Sequence, residues 1–155
     1  MPDVGPALLA VLSALGGSLV TGLLHHLAAR AERAEARADR LRGDRLDAVT
    51  ALAVTLADHH RAMWELRHAE LTDQPAERVQ VLRDESHRTR SGITDPGVRV
   101  RLLIADDGVR TAAREATTAT YAMRETESLA ALQTARRQAL FLHDDFVNAA
   151  GAHLA

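Results

Sequence analysis

Cysteine is absent from this chain, which removes disulfides, thiolate chemistry and cysteine-based zinc sites together. Lysine is absent too, so every basic side chain is arginine; with the abundant alanine, that points to a GC-rich genome more than to a mechanism. Aromatic residues number four, Trp64, Tyr121, Phe141 and Phe146, too few for base-stacking platforms or an aromatic-lined pocket. No serine elbow, glycine-rich phosphate loop or HExxH sequence occurs. Asp106-Asp107-Gly108 lacks the twelve-residue calcium pattern and reads as a turn with a helix cap. A net charge of −2 and a pI near 6.4 give no general attraction to nucleic acid.

Charge is also missing from Val4 to Leu24, and there the absence is informative. Residues Ala7 to Leu24 read ALLAVLSALGGSLVTGLL. Eighteen helical residues cover roughly 27 Å at ~1.5 Å each, close to the ~30 Å hydrocarbon core of a bilayer. A core helix of a soluble bundle would show a polar face. A cleaved signal peptide would carry positive charge ahead of the run, where only Met1, Pro2 and Asp3 stand before the uncharged stretch. The expectation is a single membrane anchor. Its nine Leu and Val contribute roughly −3 to −5 kcal/mol on an insertion scale, partly cancelled by Gly, Ser and Thr. Small residues recur every four positions at Ala10, Ala14, Ser18 and Gly22, and at Ser13, Gly17 and Thr21. That surface lets helices approach closely in lipid, so a homo-oligomer is expected.

Six arginines, Arg30, Arg33, Arg37, Arg40, Arg42 and Arg45, come after the run and none precedes it. The positive-inside bias then places the C-terminal part in the cytoplasm, a single-pass membrane protein with its N-terminus outside. Leu27, Ala31, Ala34, Ala38 and Leu41 form an alanine-rich heptad seam, the pattern of a coiled-coil stalk. Gly43 weakens the helix and reads as a hinge between stalk and domain.

From Leu46 onward helical periodicity continues and no strand pattern appears. A first helix to about Leu71 carries Leu46, Val49, Leu52, Leu56, Met63 and Trp64 on an apolar stripe. Thr72-Asp73-Gln74-Pro75 reads as a stop and restart, with Asp73 as a cap and Pro75 in a first turn. Further helices are expected over 75–91, from Pro96 to Ile104, over 107–125 and over 129–153, joined by short connections. The fold class is therefore all-α. Residues 1–29 form the transmembrane anchor, 30–45 a charged helical stalk and 46–155 a small antiparallel cytoplasmic bundle.

Candidate chemistry is sparse. Asp58-His59-His60 resembles a metal motif, but adjacent helical His side chains diverge by about 100°, whereas zinc pairs on a helix sit three or four apart. His25-His26 and His143-Asp144-Asp145 fail in the same way. Interfacial polarity accounts for His25-His26 and ordinary helix surface for the others. Glu65, Glu70, Asp84 and Glu85 read as solvated charges, paired with Arg61, Arg67 and Arg88. No catalytic residue, metal ligand, cofactor or small-molecule substrate is expected. One cluster stands out as a candidate protein interface: His59, His60, Arg61, Trp64, Arg67 and His68, around the chain's one Trp. The bland alternative is that Trp64 fills the core while its neighbours are solvated.

The order of parts resembles a known family. A short span ending in LLHH, an Arg/Glu/Ala stalk, then AVTALAVTLADHHRAMWELR, ESHRTRSGITDP and TYAMRE are similar to the Kil-type, kilB-like membrane proteins of streptomycete plasmids. The resemblance implies a non-enzymatic, membrane-associated component of conjugative plasmid spread that works with other transfer proteins. It assigns no functional residue here. A holin-type protein, acting through oligomerisation of its span into lesions, is the alternative, although some 110 further residues exceed what that needs.

Overall fold

The computed structural model describes the backbone from Gly5 to Ala155, and the side chains of His25, His26 and of residues from Ala29 onward. Every regular element described is helical: α1 (Gly5–Leu71), α2 (Ala76–Gly92), α3 (Thr94–Leu103), α4 (Asp107–Ala122), a 3₁₀ turn (Met123–Glu125) and α5 (Leu129–Leu154). The all-α expectation holds. Among the described residues no helix is long and apolar enough to cross a membrane. The proposed span, with its packing residues Ala10, Ser13, Ala14, Gly17, Ser18, Thr21 and Gly22, lies outside the described side chains.

The chain divides into two units, 1–41 and 42–155. In the first, residues 30–41 are all exposed, and Arg37 Nε donates to the Arg33 carbonyl at 3.1 Å. Gly43 interrupts nothing, because α1 continues through it. A lone glycine costs up to ~1 kcal/mol in a helix interior, and that is too little to end a helix extended on both sides.

The second unit is a four-helix arrangement in which α2 and α3 together form one descending limb. The C-terminal part of α1 runs antiparallel to α5. Arg42 Nη2 donates to the carbonyls of Leu154 and Ala155 at 2.8 and 2.9 Å. Farther along, His143 Nε2 donates to the Ala53 carbonyl at 3.0 Å. Arg67 Nε reaches the Thr126 carbonyl at 2.7 Å. On its other side α1 meets α2, with Ser86 Oγ 3.1 Å from Met63 Sδ and Arg83 paired to Glu70. Arg45 Nε closes the far end on the Leu103 carbonyl at 2.9 Å.

Helix ends obey local chemistry. The α1 C-terminus is closed by Gln74 N–H donating to the Ala69 carbonyl at 3.0 Å, while Asp73 adopts a left-handed φ of 51°. That is a Schellman-type ending, so Asp73 terminates α1 and does not cap α2. The N-cap of α2 is Pro75, which has no capping side-chain bond. Pro96 occupies the third position of α3, where a missing N–H leaves no helical bond unmade. Asp106 caps α4 through Val109 N–H, and Ser128 caps α5 through Ala131 N–H, as turn residues at those positions should.

The principal core joins Ala48, Val49, Leu52 and Leu56 of α1 with Ile93, Val100 and Ile104, Val109, Ala113 and Ala116 of α4, and Phe146 and Ala150 of α5. A second cluster sets Met63 against Met123, Leu132 and Ala139, and a third sets Leu66 and Ala69 against Leu82. One apolar expectation fails. Leu46 is 55% exposed, so the apolar stripe of α1 begins at Ala48. Small Ala side chains at 113, 116, 139 and 150 let α4 and α5 approach closely, consistent with the low aromatic content.

Candidate interface cleft

Consecutive positions on one helix point to different sides, and the geometry of the predicted cluster reflects that. His59 and Arg67 line a cleft of about 260 Å³ with Met63, Glu70, Arg83 and Arg90. His60, Arg61 and Trp64 instead line a cavity of about 350 Å³ toward α5, with Arg136, Leu140 and His143. His68 stacks on Trp64 with ring centroids 4.9 Å apart. The six residues therefore split between two sides of α1.

Burial departs most from the sequence expectation. Ordinary helix surface is the place the pattern gives His59 and His60, yet they are 1% and 8% exposed. The same expectation fails for His143, which is half-buried and bridges α5 to α1. His59 Nδ1 lies 2.9 Å from Thr89 Oγ1. The Thr89 hydroxyl proton is engaged by the Glu85 carbonyl at 3.0 Å and the Ser86 carbonyl at 3.1 Å, so Oγ1 accepts from His59 Nδ1–H. This fixes the tautomer and leaves Nε2 as an acceptor. That Nε2 is buried with no hydrogen-bond partner among the described residues.

Electrostatics agree with a neutral ring. Burial, then the positive charges of Arg90 and His60, push the His59 pKa down to about 4. His60 is lowered as well, first by burial and then by Arg136, against a hydrogen bond to the Arg136 backbone. Its Nε2 and the Trp64 Nε1–H are also buried without partners among the described residues. Arg136 lies over the Trp64 ring at 4.7 Å.

The wall of the smaller cleft is an ion network. Glu70 accepts from Arg67 at 3.0 Å and from Arg83 at 3.0 Å. Burial pushes the Glu70 pKa up, but hydrogen bonds from Arg83 and Arg67 outweigh it and hold the carboxyl below its ordinary value. Arg67 also donates to the Thr126 carbonyl through both Nε and Nη2, so this guanidinium is fixed from two directions. Arg90 lies 4.9 Å over the Tyr121 ring, and Tyr121 meets His59 edge-on at 5.5 Å. Arg90, Arg124, Ser86 and Tyr121 have no place in the cluster expected from sequence. They come from α2, α4 and the 3₁₀ turn, up to 65 positions from His59, and no local spacing could have revealed them.

Among the described residues, no three His, Asp or Glu side chains converge to hold a metal ion.

Residues 46–154 match the family model described as KilB plasmid transfer protein. The chain belongs to this family. Protein KilB of Streptomyces lividans is 40% identical over 143 residues, covering 92% of this chain and 93% of that relative. The resemblance drawn from the sequence is upheld by both findings. No solved structure matches the chain. Both sides of α1 that carry the cleft and the cavity fall inside the region shared with the KilB family. That region begins two residues before Ala48, which is fully buried in the principal core.

Proposed function

We propose that this KilB-family protein is a membrane-anchored, non-enzymatic component that assembles protein partners during conjugative plasmid spread. The observation that carries the reading is the abrupt change from an uncharged 18-residue run, 7–24, to the arginine-rich segment 30–45. A run of that length and composition suits a bilayer span, and arginines on one flank only favour a cytoplasmic location for the C-terminal bundle. Two features of the bundle support a binding role. Its cleft and cavity present arginine, histidine and Trp64 beside apolar surface, the composition of protein contact sites. The transfer role rests on the family to which the chain belongs.

The test exchanges residues 7–24 for an unrelated Leu-rich anchor and measures spread of the plasmid through recipient mycelium. A recruiter needs tethering alone, so spread is retained. Loss of spread, with the exchanged protein still in the membrane fraction, overturns the passive-anchor reading in favour of a holin-type action of the span. Recovery of the native chain in the soluble fraction overturns the anchor itself.

A further inference from the structure

We propose that the cleft between α1, α2 and the end of α4 docks an acidic segment of a partner protein. The partner's carboxylates pair with Arg90 and Arg124, and a neighbouring apolar side chain lies on Met63 and Leu66. This deepens the reading of the bundle as a recruiter and rests on it.

Charge comes first. Four guanidiniums, from Arg67, Arg83, Arg90 and Arg124, surround the cleft against the single carboxylate of Glu70, in a chain whose net charge is negative. Arg67 and Arg83 are already committed to Glu70. Arg90 and Arg124 form no ion pair among the described residues and are exposed. Arg90 is held ready by Tyr121 beneath it, which lowers the entropy lost when it takes a carboxylate.

Size and apolar lining favour a peptide over other anions. A volume of about 260 Å³ falls below the ~300–1,000 Å³ of small-molecule sites and suits one or two side chains. His59 borders the cleft with its Nε2 buried, so the guanidiniums supply the polar contacts. Met63 and Leu66 give the floor an apolar part that a free inorganic ion would leave unused.

The experiment titrates the full chain in detergent micelles by calorimetry. The probes are the tripeptide acetyl-Glu-Leu-Glu-amide, its Gln-Leu-Gln counterpart, inorganic phosphate and a short thymidine oligonucleotide. The Glu peptide alone is expected to bind saturably. Substituting Arg90→Gln together with Arg124→Gln weakens it about tenfold or more, the loss of at least one charge-assisted contact. Arg137→Gln, exposed on α5 and lining neither the cleft nor the cavity, leaves the affinity unchanged, and circular dichroism checks that each variant is folded. The proposal is overturned if the Glu peptide does not bind, if the Gln peptide binds equally, or if the double variant binds as well as the parent. Displacement of the peptide by phosphate or the oligonucleotide at equal concentration overturns it in favour of a small-anion or nucleic-acid site. Peptide affinity in micelles is independent of what the 7–24 run does in a cell, so failure here and failure of the anchor exchange are separately legible.

Discussion

Acidification of the chain tests the burial of His59. An unfolded histidine titrates near 6.5, and in the fold the ring is held down to about 4. As pH falls, the unfolded chain therefore takes up its proton first. The stabilising contribution is complete above about pH 6.5 and is lost as pH drops through 6.5 toward 4. At ~1.4 kcal/mol per pH unit, the whole effect is about 3 kcal/mol, and roughly 2 kcal/mol is gone at pH 5. His60 changes in the same direction, so the comparison must isolate one ring. His59→Asn keeps an N–H near the position of Nδ1 for Thr89 and cannot titrate. Urea unfolding followed by the fluorescence of Trp64 compares the two chains at pH 7.5 and pH 5. The variant starts less stable because it leaves space in the core, yet its stability falls with acid by about 2 kcal/mol less than the parent's. Parallel losses in the two chains would refute the neutral, buried ring.

Phe146 is fully buried at the centre of the principal core. Phe146→Ala should cost about 3–5 kcal/mol in the same unfolding measurement, against less than about 0.5 kcal/mol for Gln133→Ala on the exposed face of α5. Asp73 stands at a left-handed φ of 51° where α1 ends. Asp73→Val should therefore destabilise by about 1–2 kcal/mol, while Asp73→Gly should be tolerated because glycine adopts that φ freely.

The elements themselves were legible in the sequence. Helical periodicity, the Asp106 cap and the Pro96 restart located α2 to α5 within a few residues, because those signals act within one turn. Leu52, Leu56 and Met63 were readable as core for the same reason. The fate of polar residues on those helices was not readable. His59 and His60 sit on a stretch of α1 covered on both sides, by α2 and Tyr121 on one flank and by α5 on the other. A histidine in that position is buried whatever its own polarity. Leu46 fails in the opposite sense: it is exposed although Ala48 and Val49, within the next turn, are buried. The cleft depended on Glu70 meeting Arg83 across thirteen residues and His59 meeting Tyr121 across sixty-two. Such pairings are settled by helix packing, which single-helix spacing does not encode.

The hold of Arg42 on the carbonyls of Leu154 and Ala155 brings the first and last residues of the 42–155 unit side by side. A unit whose two ends meet can be spliced into a surface loop of an unrelated carrier, entering and leaving at one point. The bundle is thus portable: residues 42–155 can be displayed on a soluble host without the run that precedes them, and the proposed peptide docking can be tested apart from the proposed anchor.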